Sequence, residues 1–185
     1  MKSITEKLKE LQLVSETCPE IVFAHDPALR TKTREVDYMR GLVIGNHLIE
    51  VLKKYRDVTG VGRGLAAPQV GENASVFVTY VQDTPKIYIN PRIIKKSKEQ
   101  NLFREGCLSC APLWADVKRP VSITIEYTDE YGNFNIQVAD GFLARLLQHE
   151  YDHLEGIVNI DIAEYGSIEY MLNDPTKEQL RTVTE

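Results

Sequence analysis

The chain has 185 residues, 43% of them hydrophobic, which suits one domain with a true core. Its net charge of −5 argues against nucleic acid as a direct partner, and no apolar run is long enough to cross a bilayer, so no membrane partner is expected. Three cysteines, an odd number, do not suit a disulfide framework.

The segment from Met1 to Leu11 lacks the apolar centre of a signal peptide, and Glu6 and Glu10 set it apart from transit sequences. It reads as a short amphipathic helix with Ile4, Leu8 and Leu11 on one side, and the chain is expected in the cytoplasm. Thr17-Cys18-Pro19 and Asp26-Pro27 are turn signals. A helix is predicted from Asp37, a good N-cap, to Arg56. Its apolar face comes from Met39, Leu42, Val43, Leu48, Ile49 and Leu52. His47 on this helix has no metal-ligand neighbour.

A glycine-rich stretch, Gly60 to Gln69, precedes strands predicted at Ser75–Val81, Lys86–Asn90, Asn101–Glu105, Val121–Thr128 and Asn133–Val138. The last two flank Asp129-Glu130-Tyr131-Gly132 and form a hairpin. Arg92, Lys95, Lys96 and Lys98 read as a solvated strand end or turn. Helix returns from Asp140 and ends at Gly156, apolar on most sides through Phe142, Leu143, Leu146, Leu147 and Leu154. This order gives an α+β fold. Antiparallel β-sheets are expected to pack around a central C-terminal helix, the one read below as metal-binding, with N-terminal helices before them.

That last helix holds His149-Glu150-Tyr151-Asp152-His153. Residues four apart share a helix face, so both imidazoles can reach one metal ion, with Glu150 beside it. A third ligand has to come from elsewhere. Cys107 and Cys110, three apart, offer three readings: a closed zinc site with both histidines, a redox pair, or a single thiolate completing an open site. In an extended strand residues three apart point to opposite faces, and a closed site leaves Glu150 without work, so the open site is favoured. The glycine-rich stretch lacks the Gly-Lys-Ser/Thr ending of a phosphate loop. It reads as a tight turn or as backbone that a ligand can approach.

Gly62-Arg63-Gly64-Leu65-Ala66-Ala67-Pro68-Gln69, Glu105-Gly106-Cys107-Leu108-Ser109 and Gln148-His149-Glu150-Tyr151-Asp152-His153-Leu154-Glu155-Gly156 resemble, in order and spacing, the three signature motifs of peptide deformylase. The resemblance extends to His25–Arg30 and to Arg119-Pro120. It implies a single catalytic domain made of an N-terminal extension (1–21), a deformylase-like core (22–161) and a C-terminal tail (162–185). It also implies hydrolysis of the N-formyl group from N-formylmethionine on newly synthesised polypeptides, with release of formate. Cys107, His149 and His153 would bind one divalent metal, natively Fe2+, with Zn2+ or Ni2+ as substitutes. A metal-held water would be the nucleophile, Glu150 the general acid/base, and the Gln69 amide and Leu108 backbone N–H the oxyanion donors. A thiolate ligand beside ferrous iron also predicts oxygen sensitivity.

The nascent chain is expected to lie along Gly62–Gln69, touching Gly62 and Gly64, with Phe103, Phe142 and Leu146 as candidates for the methionine pocket. Asp152 and Arg119 could pair to orient a histidine, or serve only at the surface. Gly106 and Ser109 match the motif as shapers of the backbone. This chain departs from the pattern at Arg63, usually aliphatic, at Cys110-Ala111, and at Trp114, where many members have arginine. The tail carries Glu164, Glu169, Asp174, Glu178 and Glu185 against Lys177 and Arg181, so any ribosome proximity would lack a basic docking tail. Competing readings are a zincin-type endopeptidase drawing a carboxylate ligand from Asp161, Glu164 or Glu169, and a structural zinc protein or inactive formyl-peptide binder.

Overall fold

The computed structural model describes residues 3–170 and 182–183. Among these residues there are three α-helices and two antiparallel sheets. Helix α1 spans Ile4–Thr17, α2 Tyr38–Thr59 and α3 Gly141–Leu154. Strands β1 (Gly64–Ala66), β2 (Val76–Val81), β3 (Thr84–Lys96), β6 (Ser122–Thr128) and β7 (Phe134–Asp140) form the larger sheet, in the order β1-β2-β3-β6-β7. Strands β4 (Gln100–Gly106), β5 (Leu113–Pro120), β8 (Glu169–Tyr170) and β9 (Thr182–Val183) form the smaller one, ordered β8-β5-β4-β9. The expected α+β arrangement around a C-terminal helix is present.

Strand alternation places the helices. Val76, Val78, Ile87 and Ile89 face α2, while Phe77, Tyr88, Ile123, Ile125 and Tyr127 face α3. Asp37 caps α2 by accepting from the Arg40 N–H at 3.0 Å. The packed face of α2 carries Gly41, Ile44, Gly45, Leu48, Val51 and Leu52. Met39 and Val43, expected on that face, are instead 64% and 66% exposed. Glycine is the reason: a Cβ at Gly41 would stand 2.5 Å from Ile89 Cγ2, and one at Gly45 would stand 2.5 Å from Ile87 Cγ2. The sheet's isoleucines fill that space, so the small residues mark the contact and the large ones turn outward.

Helix α1 corrects the sequence reading in a similar way. It runs to Thr17, begins with a Ser3–Glu6 capping box, and buries Val14. Ile4 and Leu8 are 60% and 56% exposed, while Lys7, Glu10 and Leu11 turn inward. Strand β5 was not expected at all, and β3 continues through the basic run to Lys96 across a bulge at Asn90, whose φ is +49°. The predicted hairpin is β6–β7, in register from Ser122↔Asp140 to Thr128↔Phe134. Asp129 fixes its turn by accepting from the Tyr131 and Asn133 N–H groups at 3.0 and 2.8 Å. Of the predicted acidic tail, residues 171–181 and 184–185 lie outside the described residues.

Candidate active site

Helix α3 lies between the two sheets and gives each neighbour its own stripe. Ala144, Leu147 and Leu154 pack on the larger sheet. Arg145 and His149, four residues apart, face the smaller sheet, and Phe142, Leu146 and Glu150 line a cleft of about 330 Å3. Cys107 directly follows β4 and caps a 3-10 turn over Leu108–Cys110. It points at the helix, with Sγ 3.4 Å from His153 Nε2.

The donor atoms of Cys107, His149 and His153 lie within 4.8 Å of one another, and all three residues are on or near the buried side of the site. Donors about 2.0–2.3 Å from one tetrahedral cation are themselves roughly 3.5 Å apart, which the sulfur–nitrogen separation matches. One thiolate and two imidazoles suit a borderline divalent cation such as zinc or ferrous iron. Cys110 stands outside this group although it is buried, so the structure does not build the closed four-ligand site. The contact region is a 3-10 turn, not the extended strand expected there. The sulfur of Cys110 and burial together push the Cys107 thiol well up, and a cation would reverse this by favouring the thiolate.

Three charged residues that the sequence reading gave no role to, or a different one, hold the ligands in place. Glu105 accepts from the His149 ring at Nδ1, 2.9 Å away, which leaves Nε2 for the metal group. The same carboxylate takes Arg119 at 2.6 and 3.0 Å and Arg145 at 2.6 Å. Burial alone would raise the Glu105 carboxyl. The His149 hydrogen bond and the Arg119 guanidinium outweigh it and hold the group well below the usual carboxylate range. Burial lowers His149, yet Glu105 more than compensates and leaves it raised, whereas burial and the charge of His149 keep His153 low and neutral. Arg119 does reach Asp152 at 2.7 Å, but Asp152 orients no histidine; Glu105 does. Two patterns could have signalled this arrangement. Phe103, Glu105 and Cys107 alternate on one strand face, and Arg145 precedes His149 and His153 at steps of four.

Glu150 is buried beside the ligands, and its Oε2 has no hydrogen-bond partner. Burial pushes its carboxyl up to about 7. Gly64 is why it fits, since a Cβ there would stand 2.2 Å from Glu150 Oε1. The Gln69 Oε1 accepts from the Ala66 N–H at 2.8 Å, which turns the Nε2 amide toward the site, 3.5 Å from Cys107 Sγ and 3.2 Å from Ser109 Oγ. Leu108 opens the 3-10 turn, where the first N–H groups have no partner inside the turn. Gly62, Gly64, Phe103, Phe142 and Leu146 all line the cleft, as do Arg63, Trp114, Lys7 and Glu10. Asp161, Glu164 and Glu169, the carboxylates an endopeptidase site would draw on, are outside the metal group; Asp161 pairs with Arg30 and Glu169 with Arg104. Among the described residues no helix is long and apolar enough to cross a membrane.

The sequence profile described as "Polypeptide deformylase" matches residues 18–166. The chain belongs to the polypeptide deformylase family. It is 40% identical to the peptide deformylase of Treponema pallidum (strain Nichols) over 146 residues, covering 77% of this chain and 86% of the relative. The peptide deformylase 1 of Clostridium perfringens is 43% identical over 143 residues, covering 75% and 93%. The crystal structure of peptide deformylase from Thermotoga maritima superimposes with a TM-score of 0.70 at 33% identity, covering 78% of this chain and 96% of that one. Membership makes the chain a hydrolase of a family that removes the formyl group from an N-terminal methionine, and the Cys/His/His group supports a divalent metal. Helix α1 precedes the deformylase match, and Arg63 and Trp114 stand on the cleft wall, outside the metal group.

Proposed function

We propose that this chain hydrolyses the formyl group of N-formylmethionine on nascent polypeptides, giving formate and a free amino terminus, with Cys107, His149 and His153 holding ferrous iron, or zinc or nickel in its place. The observation that carries the reading is the buried, partnerless Oε2 of Glu150 beside a preformed Cys/His/His group. When bound, a divalent cation there acidifies a water and polarises the formyl carbonyl.

The rest falls to the chain's own side chains. Glu150, with a carboxyl near neutrality, takes the proton of the attacking water and delivers it to the departing amine. Its burial keeps bulk water from competing for that proton. The Gln69 amide gives up its long contact to Cys107 and donates to the oxyanion together with the Leu108 N–H; each such donor contributes about 3 kcal/mol. Among the described residues strand β1 is the edge of its sheet and pairs only with β2, so its other side can hydrogen-bond an extended peptide. Phe103, Phe142 and Leu146 give the methionine side chain an apolar seat, and the small Gly62 and Gly64 let the peptide approach the backbone. Anaerobic purification, metal analysis and a formate-release assay on formyl-Met-Ala-Ser test the proposal. Full metal occupancy with no formate released would overturn it.

A further inference from the structure

Helix α1 lies before the deformylase match, which begins at residue 18, yet two of its side chains form part of the cleft that contains His149 and Glu150. Those two are Lys7 and Glu10, an ion pair whose side chains are only 16% and 9% exposed. On the same helix Ile4 and Leu8 are left 60% and 56% exposed. A helix that served only to pack would reverse this, since burying apolar side chains is favourable and withdrawing charges from water is costly. The inward face becomes apolar only at Leu11 and Val14, beyond the cleft.

The position of the pair along the cleft gives it a role. Gly64 abuts Glu150, and the lining continues through Gly62 and Val61 to Thr59 at the end of α2, the helix against which α1 packs. A peptide paired with β1 from its formyl end advances about 3.3 Å per residue. Running away from Glu150 along Gly64 and Gly62, its second and third residues would come to α1.

We propose that Lys7 and Glu10 form an outer subsite that reads the charge of the residues following the formylmethionine. This rests on the deformylase reading above and extends it to substrate choice. Lys7 favours acidic side chains in the substrate and Glu10 basic ones, and as a pair they hold the wall polar and close to neutral.

The test measures kcat/KM for formyl-Met-Ala-Asp, formyl-Met-Ala-Lys and formyl-Met-Ala-Ser in the metal-loaded full chain. The readout is the acidic-to-basic ratio, in which losses of fold or metal cancel. Lys7→Met should lower that ratio roughly three- to fivefold and Glu10→Gln should raise it by a similar factor, largely through KM. Glu10→Gln nearly keeps the side-chain shape, so it gives the sign even if Lys7→Met folds poorly. An unmoved ratio, or movement in the same direction in both variants, would overturn the subsite. A metal-loaded parent protein inactive on all three peptides would instead overturn the hydrolytic reading beneath it.

Discussion

On the face of α3 that meets the small sheet, Glu105, Arg119, Arg145 and Asp152 are locked together by ion pairs of 2.6–3.0 Å in a largely dry layer. On the cleft side the charged residues make contacts that do not involve the ligand-orienting network. Arg63 leans over Phe142 at 5.3 Å, and Lys7 and Glu10 stand on a wall contributed by a helix outside the family match. The first region fixes where the ligands point, and removing one partner leaves a charge stranded without water. The second can change its residues without disturbing the ligands. Arg63 and Trp114 stand in this second region.

Substitutions can separate the two regions, beginning with the largest effect. Glu150→Ala should lower turnover by roughly 10²–10⁴-fold while the metal stays bound; retained turnover in a metal-loaded variant would remove Glu150 as the base. In the parent protein kcat/KM should rise with pH along an acid limb at or below about 7, because Glu150 accepts a proton only when ionised and a bound cation lowers its pKa. Gln69→Met should lower kcat by about 10²–10³-fold without metal loss, the signature of a donor used in the transition state.

Glu105→Gln tests the dry layer itself. It should weaken metal binding by roughly 10–100-fold, measured by competition with a chelator, and cost about 3–5 kcal/mol in denaturant unfolding. Glu105 has a depressed folded pKa, so its contribution to stability is fully present above the ordinary value of 4.5. It is lost as the pH falls from there toward the folded value, and Glu105→Gln should flatten that acid limb. Arg63→Ile, on the cleft side, should change KM by only about two- to fivefold and leave metal content alone. The smallest effect belongs to Cys110→Ser. Metal content should be unchanged, and a sharp fall would mean that Cys110 is a ligand after all.

Much of this division could be read in the sequence, for unequal reasons. Helical spacing alone brings His149 and His153 together, and the β6–β7 hairpin announces itself by alternation about a turn. An open site that leaves work for Glu150 called for a single cysteine, and only the resemblance to peptide deformylase singled out Cys107 over Cys110. Strand β5 stayed hidden since its inward positions are Ala115, Val117 and Arg119, and an arginine facing the interior breaks the apolar pattern. That arginine is tolerated because Glu105, on the paired strand, and Asp152 of α3 reach its guanidinium. On α2 helical spacing places Leu42, Leu48, Ile49 and Leu52 on the packed face but also Met39 and Val43, because Gly41 and Gly45 have no side chain to contribute to an apolar stripe. The inward charges of α1 depend on the cleft, which no local pattern encodes.

The ligands come from two separate parts of the fold: the thiol from the end of β4 in the small sheet, the imidazoles from α3. A cation held between them fastens these layers as a rivet fastens two plates. Its binding free energy therefore also resists the separation of the sheet from the helix. Stripping the metal should let that seam open before the larger sheet melts, so the thermal behaviour of the protein would report how well it is loaded, with no substrate present.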